Sequence, residues 1–129
     1  MAIDGVKIID SDTGNDIYNY VIGSYKDGMS ADKIVETMLA EEKDYCIDDF
    51  YSEIYWTALA YSLWKIGHLP DDVKEKTIGI IKKGADEFWL EIDGNALKQR
   101  QKNLDKLAIQ LENENPKPIK VPKSKIIRK

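Results

Sequence analysis

The chain has 129 residues, 43% of them hydrophobic and 33% charged, which suits one ordinary hydrophobic core and is too apolar for a disordered polymer. Its formal net charge is −4, yet six of the 19 basic residues and none of the 23 acidic ones fall in residues 115–129, so residues 1–114 carry −10. A body this acidic repels nucleic-acid phosphates and attracts cationic surfaces, so direct nucleic-acid binding by the body is not expected.

Helical periodicity begins with Ile17, Tyr18, Val21, Ile22 and Tyr25, five residues on one stripe. Asp12 or Thr13 is placed to cap this helix and Gly28 to end it. Ser30 is the N-cap expected for a second helix, in which Ala31, Ile34, Val35, Met38 and Leu39 share a face opposite Lys33, Glu36, Glu41 and Lys43. An acidic loop, Ile47 to Asp49, leads into a third helix from about Phe50 to Ile66. This segment is apolar around most of its circumference and is therefore expected to be the buried central element. Gly67 fits a left-handed C-terminal cap, and Pro70 fits the first turn of the next helix. That fourth helix spans about Asp71 to Lys83, with Val73, Thr77, Ile80 and Ile81 inward and Gly84 as its stop. A short turn from Asp86 to Glu91 offers Phe88 and Trp89 as lids on the core. The last helix, Ala96 to about Asn113, sets Leu97, Leu104, Leu107, Ala108 and Leu111 on one side.

The expected fold is all-α: a compact bundle of about five helices around a buried central helix, with an extended basic C-terminal tail. The expected division is residues 1–114 as the helical domain and 115–129 as the tail. The tail has three prolines in seven residues, which forbids helix and favours extended geometry. It is either solvated or laid across the acidic body, with Ile119 and Val121 docked in a groove.

No apolar stretch approaches the roughly 20 residues needed to cross a bilayer. Residues Met1 to Lys7 contain Asp4 and Lys7 and no apolar core of a secretory signal, so a cytoplasmic location and no membrane contact are expected. Cys46, the single cysteine, has no partner for a disulfide or a paired-ligand metal site and reads as a half-buried packing residue.

The segment Val6 to Ile17 resembles the D-x-D-x-G-x-D opening of nucleoside hydrolases, in which clustered aspartates hold calcium that activates water. Asp10, Asp12 and Asp16 supply the hard oxygen ligands such chemistry needs. The family's further aspartate is replaced by Ile17, and the chain is less than half as long as that fold requires. An EF-hand is excluded because Val21 stands where a bidentate carboxylate is required. Asp10, Asp12 and Asn15 read more simply as turn and capping residues before a helix, favoured by its dipole. The stretch Tyr55 to Asp86 looks like one tetratricopeptide unit, but such folds need about three stacked units; an ordinary helical hairpin is expected. His68, the only histidine, lacks a nucleophile beside it and suits helix C-terminal capping. No catalytic residue, resident metal or cofactor is therefore assigned.

The residues marked for partner binding are Glu41, Glu42, Asp44, Tyr45, Asp48, Asp49, Tyr51, Glu53 and Tyr55. An acidic surface edged by tyrosines joins electrostatic steering to low-entropy anchors, a combination suited to a basic protein partner. A merely soluble acidic face is the simpler alternative.

Several segments together resemble a group of small all-helical bacterial proteins of unassigned biochemical function. They are Asp10-Ser11-Asp12-Thr13 with Asp16, Trp56 to Ala60 (W-x-A-L-A), Trp64 to Leu69 (W-x-x-G-x-L), and Ile80 to Asp86 with Trp89. The Lys/Arg-bearing helix Leu97 to Leu111 and Pro116 to Lys120 (P-x-P-x-K) complete the pattern. The likeness covers most of the chain and departs at the opening, where IDGVKII replaces an aromatic-glycine start. Such proteins look like those encoded beside secreted toxins, so the resemblance implies an immunity protein that neutralises a basic toxin domain. The alternatives are a small metal-dependent hydrolase using Asp10, Asp12 and Asp16, and a helical adaptor whose Tyr55 to Lys83 hairpin cradles a peptide.

Overall fold

The computed structural model describes residues 7–120. Among them are α1 (Asp12–Lys26), α2 (Ala31–Ala40), α3 (Glu42–Tyr45), α4 (Asp49–Lys65), α5 (Asp71–Lys83), α6 (Trp89–Ile92) and α7 (Ala96–Glu112). The protein is all-α, as its periodicity predicts.

The central position of α4 follows from its composition. With apolar or small residues on every side it has no polar face to leave in water, and α1, α3, α5 and α7 all pack against it. Tyr55, Ala58, Leu59, Ala60 and Leu63 are fully buried. The small Ala58 and Ala60 leave room for neighbouring helices, while the hydroxyls of the same helix are satisfied internally, Ser62 Oγ donating to Ala58 O and Thr57 Oγ1 to Glu53 O, both at 2.6 Å. Ile17, Val21, Ile34, Met38, Val73, Ile81, Leu104 and Leu107 close the main core around it. A second cluster, Phe50, Ile54, Trp89 and Ala96, fills the space between the start of α4 and the α6–α7 corner.

Helix boundaries follow local chemistry, with some shifts from expectation. Ser11, not Asp12 or Thr13, caps α1: its backbone is extended and its Oγ accepts from Gly14 N at 2.9 Å. Asp12 is instead the first helical residue, where its charge meets the positive end of the dipole. A Cβ on Gly14 would lie 3.1 Å from Ile8 O, because the turn at residues 7–10 rests directly on the first turn of α1. Ser30 and Asp48 cap α2 and α4 as donor-satisfying side chains. Pro70 stands one residue earlier than expected, before the first residue of α5.

Gly28 and Gly67 adopt positive φ, and each ends its helix with a paired set of bonds. Gly67 N donates to Trp64 O and His68 N to Leu63 O, both at 3.0 Å, the 5→2 and 6→1 pattern of a Schellman cap. His68 thus serves the end of α4 through its backbone, while its ring nitrogen Nε2 lies 3.2 Å from Tyr25 OH.

Three further differences have clear causes. The acidic segment after α2 contains one helical turn, α3, too short for periodicity to reveal. Of the two expected lids, Trp89 is buried and Phe88 is 49% exposed, since adjacent residues of a single turn cannot both face inward. Ile80, expected inward, is half-buried at the margin of the core.

The described part of the tail is tied to the body. Asn115 Nδ2 donates to Trp64 O and Lys65 O at 3.2 Å, Ile119 N donates to Lys65 O at 2.8 Å, and Trp64 Nε1 donates to Asn113 O at 2.7 Å. Residues 115–119 therefore supply donors to the Lys65 carbonyl at the end of α4 and add a second donor to the Trp64 carbonyl that Gly67 N already caps. Ile119 packs half-buried against the core; Val121 lies outside the described residues.

Candidate functional site

The acidic edge lies where α2, α3 and the start of α4 meet. Glu41, the C-cap of α2, is exposed, as are Asp44, Asp48 and Asp49; Glu42, Tyr45 and Tyr51 are half-buried. Two of these residues also have structural work. Asp48 Oδ1 accepts from Tyr51 N at 2.9 Å as the N-cap of α4, and Asp49 occupies the first turn of the same helix, where a negative charge is favoured.

Tyr45 is backed rigidly. Its ring packs against that of Tyr55 with centroids 5.4 Å apart, and Tyr55 donates through its OH to Met38 O at 2.6 Å. Burial raises the Tyr45 phenol above its usual value, and the charges of Glu41, Asp16 and Asp44 raise it further. Asp16 of α1 thereby joins the same negative field, an addition that sequence spacing did not reveal because it depends on α1 and α3 both packing against α4.

Two residues expected on this edge are not on the surface. Tyr55 is fully buried and Glu53 is only 2% exposed, because both project from α4 into packed neighbours. Neither is available to touch a partner. Tyr55 instead supports Tyr45 from below.

Glu53 sits at the centre of a buried ionic clamp. Its Oε2 accepts from Arg100 Nε at 2.7 Å and from Trp89 Nε1 at 2.9 Å, while its Oε1 accepts from Asp86 N at 2.8 Å. Arg100 further donates to Thr57 Oγ1 at 3.2 Å and to Lys7 O at 3.1 Å, and its guanidinium lies 4.7 Å from the Trp89 ring centre. Desolvation lowers the Arg100 pKa, opposed by the charge and hydrogen bond of Glu53 and by the charge of Asp10. One carboxylate and one guanidinium thus join α4, α6, α7 and the segment before α1.

The sequence carried a signal for this pair. Arg100 falls in register with Leu97, Leu104, Leu107 and Leu111 on the inward stripe of α7, and Glu53 lies in the apolar run of α4. Opposite charges in two buried stripes imply each other, since either alone would be an uncompensated buried ion.

The early aspartates do not converge. Asp10 is half-buried near Arg100, Asp12 opens α1, and Asp16 acts on Tyr45. Among the described residues no group of three His, Cys, Asp or Glu side chains is arranged to hold a metal ion. Cys46 is half-buried, and burial pushes its thiol pKa up. No helix among the described residues is long and apolar enough to cross a membrane.

Fold and surface together define an all-α helical domain that presents an acidic, aromatic-edged end around a buried ionic clamp. No protein-family model, curated protein or solved structure matches the chain.

Proposed function

We propose that this chain is a protein-binding protein of the immunity type, which neutralises a toxin by covering a basic surface of its active domain. The observation that carries this reading is the run of acids Glu41, Glu42, Asp44, Asp48 and Asp49 flanking Tyr45 in the chain, a ring already packed against Tyr55 before any partner arrives. Fixed aromatic anchors lose little freedom on binding, and a concentrated negative field accelerates encounter with a cationic partner. Under this reading the protein works in the cytoplasm, contacts protein and not nucleic acid or lipid, and needs no cofactor.

The test uses the proteins encoded by the genes on either side of this one. At least one should bind, with an association rate that falls steeply with salt. Replacing Glu41→Lys and Asp44→Lys, both exposed and the first giving the N-terminus of α3 no side-chain hydrogen bond, should slow association by about tenfold or more while leaving the thermal midpoint nearly unchanged. Absence of binding by any adjacent product, or an association rate indifferent to both salt and these substitutions, refutes the reading.

A further inference from the structure

The acidic edge does not account for the apolar surface beside it. Six large hydrophobic residues are exposed among the described residues, and three of them, Phe88 at 49%, Leu90 at 51% and Ile92 at 40%, belong to the single turn of α6 and its cap. A fourth, Ile47 at 69%, lies in the loop that enters α4, at the same end of that helix. Scattered exposed hydrophobics need no explanation, but a concentration on one short turn does.

This turn is held rigidly from behind. Trp89 projects inward onto Glu53 and Arg100, and the Phe88 ring packs in a tilted arrangement against Phe50 with ring centres 4.6 Å apart. Asp86 Oδ1 accepts from Phe88 N and Asp93 Oδ1 from Asn95 N, at 2.9 and 2.8 Å, so both shoulders of the segment are locked as side-chain-closed turns. The buried clamp anchors α6 while its outer side chains stay uncovered, an arrangement that lowers the entropy lost on docking.

Charge decides what covers it. Residues 86–93 read DEFWLEID, with four acids and no base. A groove of about 300 Å3 beside the segment is lined by the acids Asp49, Asp86 and Glu87, with Lys83 as its one cation, and by Glu53, whose charge Arg100 already neutralises. A second copy would bring like charges together, and an anionic lipid surface would be repelled. We propose that Phe88, Leu90 and Ile92 form the apolar half of a docking surface whose occupant is a cationic protein segment bearing aliphatic side chains among Lys and Arg. This inference rests on the reading of a cationic protein partner and adds a contact that the acidic edge alone does not supply.

The test titrates the full chain with an amphipathic helical peptide of Leu and Lys, and with an equally charged peptide carrying Ser in place of Leu. Backbone amide shifts are followed by NMR. The Leu-bearing peptide should perturb residues 86–93 and bind about tenfold or more tightly than the Ser peptide, as burial of a few leucines requires. The double variant Leu90→Ser with Ile92→Ser should remove that advantage, with the Trp89 indole resonance unmoved as the sign that the clamp and fold persist. Equal binding of the two peptides, with shifts confined to residues 41–51, overturns this inference and leaves the cationic-partner reading standing. Failure of both peptides to bind overturns both. Self-association of the free chain that is abolished by the double variant also overturns the inference, by making a second copy the occupant.

Discussion

At the scale of single residues, the tyrosines and the Glu53–Arg100 pair make opposite demands on pH and on packing. Burial raises the phenol pKa of Tyr55, Tyr45 and Tyr61 above the ordinary 10.0, with nearby carboxylates adding to it at Tyr45 and Tyr55. The folded state therefore holds these protons more tightly than the unfolded chain. Their contribution to stability is complete below pH 10 and declines as pH rises above it, because the unfolded state ionises first. We expect spectrophotometric titration to show these phenolates appearing at higher pH in the folded protein than in the urea-unfolded chain, and urea unfolding to show falling stability above pH 10. Tyr55→Phe should flatten this decline, though it also removes the bond to Met38 O.

The ionic pair predicts a different asymmetry. Glu53→Ala leaves Arg100 buried without its counter-charge and should lower unfolding free energy by about 3–5 kcal/mol. Replacing both, Glu53→Leu with Arg100→Met, removes the stranded charge but leaves the Trp89 and Asp86 N–H groups without the acceptor they now share. Stability by urea denaturation should then recover only in part. Full recovery in the double variant would mean that the polar bonds to α6 carry little weight.

At the scale of elements, α4 and the strap formed by residues 113–119 depend on each other. Gly67 has φ +77, and a Cβ there would lie 3.0 Å from Pro118 Cβ. Gly67→Ala therefore meets two obstacles, the left-handed backbone and the strap packed over it, and should destabilise the protein by about 1–2 kcal/mol. The same substitution should displace residues 115–119, which hydrogen–deuterium exchange at Ile119 N would detect as lost protection. A stability loss with unchanged protection at Ile119 would show that the strap does not need the close approach. The periodicity of α1, α2, α4, α5 and α7 was legible because each presents a repeated apolar face or, in α4, none. The two four-residue helices, α3 and α6, were not, since a single turn has no period; of these, only the Asp86 to Glu91 turn was anticipated, through its paired aromatics.

At the scale of the whole molecule, the distribution of charge could be read from the chain, and with it the expectation of a negative body and a basic tail. Whether a given acid is outside could not. Glu53 counted as part of an exposed acidic edge in sequence order, yet tertiary packing turns it inward to meet Arg100, 47 positions away. Asp16 was grouped with Asp10 and Asp12, and the docking of α1 carries it instead into the field around Tyr45. The sequence by itself determined the helices, the buried central rod and the sign of the surface, because periodicity, capping and charge act over a few neighbours or need only be summed. Only the tertiary structure decided which carboxylates are solvated, which rings are braced and which apolar turn is left uncovered, because burial depends on what other helices bring to the same place.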